Sequence, residues 1–243
     1  DRNIDDIFEV QDEVSRSIAA QINPTLGNYE RERIERSKPN NFSAWEYYMR
    51  SLKVFYEKST KDREDKNLND SREFCEKAIQ KDPLFSLAYS MLAKINHSEL
   101  IRFAKEDSDA ILDEMFENAS KAAELDPQNP ESSVMLSTYY FFKGDFTFSQ
   151  NHAEKAVELN PSNPEAYMRL GLSMIHQGDY ENSEEFVRKS IEIDPLDPKI
   201  KLPSFEVLEK ISKDIFNILE NYNYGTGNLS AKILRNYHRY MWK

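Results

Sequence analysis

The chain has 243 residues, of which 39% are hydrophobic, 31% are charged and 12% are aromatic, and its formal net charge is −11. This composition can bury a sizeable core but is too polar for a membrane protein, and no stretch approaches the roughly 20 apolar residues of a spanning helix. The negative charge argues against a general affinity for nucleic acid. The single cysteine, Cys75, excludes an intramolecular disulfide and fits a reducing compartment, so we expect a cytoplasmic protein.

Residues 1–41 are predicted to form N-terminal capping or linker helices. Apolar residues recur at helical spacing over residues 4–22, and Asn23-Pro24 is expected to kink or end this first helix. A charged stretch over residues 29–38 predicts a second helix. The chain starts at Asp1 without an initiator methionine, so we expect a fragment or a processed product.

The clearest pattern is a helix–turn–helix that occurs in residues 130–161 and again, 34 residues later, in residues 164–195. Gly144-Asp145 and Gly178-Asp179 mark the two turns, and a proline closes each unit. Gly171 lacks a side chain where a neighbouring helix could approach closely. A helix–turn–helix with a 34-residue period is typical of the tetratricopeptide (TPR) repeat, and the chain resembles that family. The resemblance implies an all-α fold, an α-solenoid of about four TPR repeats with helical caps at both ends.

Two further repeats precede these, so that the four TPR repeats occupy residues 42–198. The first two are each about ten residues longer than the standard unit, with the additions around residues 56–67 and 98–109, and we expect longer helices with polar tips there. Small residues recur eight and five positions before the closing prolines, where the two helices of a repeat would pack closely. They are Cys75, Ala119, Ala153 and Val187, and Ala78, Ala122, Ala156 and Ser190. Cys75 is accordingly interpreted as a core residue and not as a nucleophile.

Residues 199–243 do not continue the repeat and are predicted to form C-terminal capping helices. Ser204 can cap a strongly amphipathic helix, and a last helix follows a glycine-containing turn at residues 224–228. A repeat array exposes apolar surface at its ends, which terminal elements must cover. This segment carries eight basic and four acidic residues, in contrast to the acidic remainder of the chain.

A second resemblance concerns the N-terminal run over residues 5–13, DDIFEVQDE, followed by a charged helix and by residues 44–50, AWEYYMR. These motifs are similar to the segment that joins an effector domain to the TPR region in a family of bacterial signalling proteins. Some members carry a class III adenylate or guanylate cyclase domain in front, and others a winged-helix DNA-binding domain. The resemblance implies a regulatory region, and neither activity can be assigned to the chain itself.

In TPR proteins the first helix of each repeat lines a concave groove, so the resemblance also implies a set of partner-binding residues. They are Glu46, Arg50 and Lys53, then Ser90, Lys94 and His97, then Val134, Thr138 and Phe141, and finally Met168, Leu172 and His176. Such a groove would be basic near the N-terminal repeats and apolar near the C-terminal ones, which suits an acidic and hydrophobic peptide. The alternative is that Arg50 and Lys94 only pair with acidic residues of adjacent helices. The carboxylate clamp of some TPR domains is not supported, because it uses asparagines where this chain has Arg50 and Lys94.

No metal, cofactor or catalytic site is predicted. The histidines His97, His152, His176 and His238 show neither HxxxH nor HExxH spacing, and cysteine pairs are absent. Gly225-Thr226-Gly227 is a lone GxG without a preceding strand and is interpreted as a helix–helix turn. The basic, aromatic C-terminal tail could stack on nucleic acid, but the net charge of −11 favours a capping helix instead.

These observations predict a non-enzymatic scaffold that binds a protein or peptide partner in the concave groove, and the charges of the groove suit an acidic partner. The alternative is the regulatory TPR region of a signalling protein whose cyclase or DNA-binding domain lies upstream. Self-association through the repeats is a further possibility, whereas contact with nucleic acid or a membrane is not expected.

Overall fold

The computed structural model describes residue 39 and residues 41–57, 61–102 and 108–194. Within these ranges the chain forms eight helices and no strand. They are α1 (Phe42–Tyr56), α2 (Lys61–Lys81), α3 (Ser86–Arg102), α4 (Ser108–Leu125), α5 (Pro130–Lys143), α6 (Phe146–Leu159), α7 (Pro164–His176) and α8 (Tyr180–Ile193). Apart from residues 39 and 41, the predicted capping segments over residues 1–41 and 199–243 lie outside the described residues.

The eight helices form four consecutive hairpins, α1–α2, α3–α4, α5–α6 and α7–α8. Each first helix packs against its own partner and against the first helix of the next hairpin, and each second helix also contacts the first helix that follows it. Every hairpin therefore contacts mainly its neighbours in sequence, which is the arrangement of an α-solenoid. The predicted all-α solenoid of helix–turn–helix units is confirmed.

Short polar motifs fix the ends of the helices in the last two hairpins. The side chains of Asn129 and Asn163 accept the backbone N–H two residues further on, at 3.0 and 2.9 Å, and a proline opens each helix that they cap. Gly144 and Gly178 adopt φ values of +81° and +85°, which disfavour any residue with a side chain. The predicted turn glycines are thus confirmed, and they set the direction in which each second helix leaves.

The two helices of a hairpin approach closely at positions with small side chains. A methyl group built on Gly171 would lie 2.5 Å from Cγ2 of Val187 and 3.1 Å from the carbonyl oxygen of Ser183, so the glycine permits the contact between α7 and α8. The predicted small positions are all at most 2% exposed. They are Cys75, Ala78, Ala119, Ala122, Ala153, Ala156, Val187 and Ser190.

The third hairpin lies at the centre of the largest apolar core. Phe141, Phe142 and Met135 are fully buried there, together with residues from α3, α4 and α7. The first hairpin contributes to two smaller clusters, one of which holds Cys75. Helices α1 to α4 have 15, 21, 17 and 18 residues, whereas α5 to α8 have 14, 14, 13 and 14.

Candidate functional site

One row of α1 side chains is open to solvent. Its members occupy positions 46, 49, 50, 53 and 56, so each has another member three or four residues away and all share one face of the helix. We call this row the α1 stripe; it consists of Glu46, Met49, Arg50, Lys53 and Tyr56, all of them exposed. Met49 and Tyr56 are 43% and 61% exposed, and the other two large hydrophobic side chains with comparable exposure in the described part of the chain are Leu84 and Phe148. Two of four such side chains therefore lie on one face of a single helix.

Lys94 connects the α1 stripe to the following hairpins. Its Nζ atom lies 5.9 Å from the ring centroid of Tyr56, 3.2 Å from Oε2 of Glu165 and 3.5 Å from Oε2 of Glu131. Tyr56 belongs to α1, Lys94 to α3, Glu131 to α5 and Glu165 to α7, so the first helices of all four hairpins meet along one surface. We call this surface the inner face.

The ion pairs of Lys94 keep both Lys94 and its partner Glu165 ionised on the inner face. Burial opposes the charged form of Lys94, but Glu165 and Glu131 nevertheless hold its pKa well above the usual range. Burial likewise opposes ionisation of Glu165, and Lys94 and Arg169 lower its pKa to about 2. Both partners are therefore charged at neutral pH, which makes this network a fixed electrostatic feature.

Arg169 extends the network towards the last hairpin. Its Nη2 atom lies 3.3 Å from Nε2 of His97 and 3.9 Å from Oε1 of Glu165, and the residue is only 6% exposed. Its buried Nε and Nη1 atoms have no hydrogen-bond partner among the described residues. Glu131, Glu165 and Arg169 were not among the predicted site residues. A signal for the glutamates was present, because each follows an Asn-Pro pair and the two are 34 residues apart.

The predicted groove residues fall into an exposed set and an enclosed set. Glu46, Arg50 and Lys53 are exposed, and Arg50 pairs with Glu46 of the same helix at 2.5 Å. Lys94 is partly exposed and pairs with one carboxylate of α5 and one of α7. The enclosed set lies between packed helices; it consists of Ser90, His97, Val134, Thr138, Phe141 and Leu172, none more than 8% exposed. Met168 and His176 are half-buried.

Hydrogen bonds and ring contacts account for several of the enclosed side chains. Ser90 Oγ accepts a hydrogen bond from Nδ2 of Asn129 at 2.7 Å, and Thr138 Oγ1 donates to the carbonyl oxygen of Val134 at 2.9 Å. The ring of His176 lies 5.0 Å from that of Phe141 and 4.7 Å from that of Phe146, and burial lowers the pKa of His176 to about 4. The contacts of Ser90 and His176 connect neighbouring helices, whereas the hydrogen bond of Thr138 lies within α5. The exposed members of the predicted set are those of α1, with the partly exposed Lys94 beside them.

Cys75 occupies the interface between α1 and α2. Its Sγ atom lies 3.0 Å from Oγ of Ser51, and burial raises the pKa of the thiol to about 12. A thiol of this kind stays protonated and unreactive at neutral pH. This environment agrees with the prediction of a small core residue.

Two kinds of feature are absent from the described part of the chain. Residues 39, 41–57, 61–102 and 108–194 contain no group of three or more His, Cys, Asp or Glu side chains that could hold a metal ion. Among the eight helices described above, none has both the length and the apolar character needed to cross a bilayer.

A family model and one solved structure support the repeat assignment. The tetratricopeptide repeat family model matches residues 164–197.

TTC0263, a TPR protein of Thermus thermophilus, is 16% identical with a TM-score of 0.52, and the match covers 81% of this chain and 98% of that one. YrrB, a TPR protein with an unusual peptide-binding site, is 16% identical with a TM-score of 0.45, covering 82% and 86%. A tetratricopeptide repeat protein from Parabacteroides merdae is 18% identical with a TM-score of 0.43, covering 81% and 65%. No curated protein sequence matches the chain. The chain has the TPR fold.

Proposed function

We propose that the chain is a non-enzymatic scaffold that binds a protein partner on the inner face, with the α1 stripe as the principal contact surface and Lys94 supporting it. The TPR fold is consistent with a scaffold for protein–protein interaction. The observation that supports this location is the exposure of Met49 and Tyr56 beside Arg50 and Lys53 on one face of α1. Exposed apolar side chains of this kind, bordered by polar ones, mark interaction sites more often than isolated surface residues do.

The charges of this surface favour a partner segment that is both acidic and apolar. Among the described residues, Lys53 has no ion-pair partner, and Arg50 forms an ion pair with Glu46 of its own helix. Carboxylates of the partner would pair with these two cations, while its apolar side chains would cover Met49 and Tyr56. Lys94 is already engaged by Glu131 and Glu165, so we assign it to shaping the surface through its contact with Tyr56.

The mechanism that we propose is preorganisation. The α1 stripe lies on a helix that packs against α2 and α3, so little conformational entropy is lost on its side when a flexible segment binds. Opposite charges on the two partners accelerate their association and make the affinity depend on salt.

The test uses a phage-displayed peptide library selected on the full chain, with fluorescence anisotropy of the selected peptides. We expect acidic and apolar sequences to be enriched. The double variant Arg50→Glu, Lys53→Glu should weaken their binding by about tenfold or more and flatten its salt dependence, as expected when two charge contacts are lost. Both residues are exposed, so the variant should fold normally.

A matched control reverses two cations on another face. Arg188 and Lys189 of α8 have side chains that are 67% and 51% exposed. The variant Arg188→Glu, Lys189→Glu makes the same change in net charge and should leave the affinity unchanged. Equal loss in both variants would indicate general attraction to the chain, and no loss in the first would remove the α1 stripe as the binding surface.

A second candidate function is that of the regulatory TPR region of a bacterial signalling protein. The run over residues 5–13 and residues 44–50 supports it through the resemblance described above. In that case the partner of the inner face would be another part of the same signalling system, and the effector would be a cyclase or a winged-helix domain upstream of Asp1. The intact mass of the endogenous protein tests this proposal: a mass well above 28.5 kDa with cyclase or winged-helix peptides supports it, and a mass close to 28.5 kDa contradicts it.

A further inference from the structure

A group of five aromatic rings forms a second surface, at the junction of α4, α5 and α6. We call it the aromatic cluster; it consists of Phe116, Tyr139, Tyr140, Phe148 and His152. The Tyr140 ring is stacked on Phe148 at 5.2 Å and lies parallel to His152 at 5.4 Å. Phe116 lies 4.6 Å from Tyr139, which in turn is 5.2 Å from Tyr140. The rings therefore make one continuous chain across three helices.

The aromatic cluster is open to solvent at one end. Phe148 is 51% exposed, and the other four rings are half-buried. Its members belong to helices other than α1, so the aromatic cluster is separate from the α1 stripe. A solvent-facing group of aromatic side chains is characteristic of the contact residues that contribute most to binding in protein interfaces.

Acidic side chains border the aromatic cluster. Asp109, Asp113 and Glu117 are spaced four residues apart on α4, so they follow one face of that helix, and all three are exposed. The surface already holds one cation. Nζ of Lys143 lies 5.7 Å from the ring centroid of Tyr139 and 3.4 Å from Oδ1 of Asp113. The side chains around the aromatic cluster thus provide both kinds of group that attract cations, ring faces and carboxylates.

We propose that the aromatic cluster is a docking surface for a basic segment of a partner protein. An arginine of that segment would stack on the exposed ring of Phe148, beside the half-buried Tyr140, and pair with the acidic side chains of α4. Arginine suits the site better than lysine, because its planar guanidinium group stacks on aromatic faces and is more weakly hydrated. This function adds a second partner to the one on the inner face and does not depend on it.

The test measures binding of three fluorescein-labelled twelve-residue peptides to the full chain by anisotropy. The peptides alternate glycine with arginine, with lysine, or with citrulline, which has nearly the shape of arginine but no charge. We expect the arginine peptide to bind most tightly, the lysine peptide about threefold more weakly and the citrulline peptide at least tenfold more weakly.

Two substitutions with matched controls locate the binding. Phe148→Ala should weaken the arginine peptide by about threefold to fivefold, whereas Leu84→Ala, which removes another large exposed side chain (65%), should not. Asp113→Asn should weaken it by about twofold, whereas Glu184→Gln, which removes an exposed carboxylate from α8, should not. Circular dichroism of each variant confirms that the chain is folded.

Three outcomes would overturn the proposal. Equal binding by wild type and Phe148→Ala would indicate only general attraction to an acidic chain. Equal binding of the arginine and citrulline peptides would indicate an apolar site without a preference for cations. A concentration-dependent dimer that Phe148→Ala abolishes, seen by light scattering, would show that a second copy of the chain covers the surface.

Discussion

Helices α1 and α5 occupy the same place in the first and third hairpins, yet they differ in how much of their surface is covered. Ten residues of α5 are buried, whereas only Ala44 and Ser51 are buried in α1. The cause is their position in the stack: α5 contacts α3, α4, α6 and α7, while α1 contacts α2 and α3 among the described helices. The repeat pattern determines that both segments form helices, and their neighbours determine which side chains remain available to a partner.

The difference in burial between α1 and α5 also separates residues that stabilise the fold from residues that could bind a partner. In α5 the positions predicted to line the groove, Val134, Thr138 and Phe141, are fully buried and hold hairpins together. In α1 the corresponding positions, Glu46, Arg50 and Lys53, are exposed. We therefore expect substitutions in α5 to change stability and substitutions in the α1 stripe to change binding. The following predictions test this division, beginning with the largest effect.

Phe142→Ala should reduce the free energy of unfolding by about 3 to 5 kcal/mol, because it leaves a cavity in the largest core of the chain. Urea unfolding followed by circular dichroism measures the change. A loss below about 1 kcal/mol would mean that the third hairpin is not the central element of the solenoid.

Gly171→Ala should reduce the free energy of unfolding by about 1 to 3 kcal/mol, since the new methyl group would collide with Val187 and crowd the α8 backbone. The control measures the same substitution in a Val187→Ala background, where the closest contact is removed, so that the cost of truncating the buried Val187 is present in both members of the pair. If Gly171→Ala costs as much in that background as in wild type, the close approach of α7 and α8 is not the cause.

His176→Phe should remove part of the acid sensitivity of the fold. Burial lowers the pKa of His176 to about 4, below the value of about 6.5 in an unfolded chain. As the pH falls, the unfolded state therefore takes up a proton at a higher pH than the folded state does. Stability is then complete above about pH 6.5 and declines as the pH falls towards 4. Because the ring keeps some exposure, we expect wild type to lose about 1 to 2 kcal/mol more than the variant between about pH 7 and 4. Parallel pH curves for the two proteins in urea unfolding would contradict this.

Met49→Ala should change the free energy of unfolding by less than about 0.5 kcal/mol, because its side chain lies exposed on the α1 stripe. The same substitution should weaken peptides selected on the inner face. A stability loss comparable to that of Phe142→Ala would show that α1 is covered in the same way as α5 and would remove the distinction between the two helices.

The sequence contains enough information for the fold because each repeat follows its own local rules. The turn glycines Gly144 and Gly178, the capping Asn-Pro pairs and the small residues at the hairpin interfaces are local features, readable within one period of the repeat. The period and the small positions therefore predicted helix–turn–helix units that the structure confirms.

The candidate site could be predicted less well from the sequence, because burial on the inner face depends on side chains that are far apart in sequence. Lys94 of the second hairpin pairs with Glu165 of the fourth, and Arg169 is only 6% exposed although it is an arginine. Helical spacing alone places Val134 and Arg50 on the same face of equivalent helices. It cannot show that one is covered by adjacent helices while the other is open to solvent.

Cys75 gives the solenoid a chemical reporter of its own motion. It is the only cysteine in the sequence and is fully buried between α1 and α2, where its raised pKa keeps the thiol protonated. A thiol-specific reagent can modify it only after the first hairpin opens locally, so the labelling rate measures the free energy of that opening. A ligand that binds the α1 stripe should slow the labelling, and its affinity could then be read from native protein without any introduced probe.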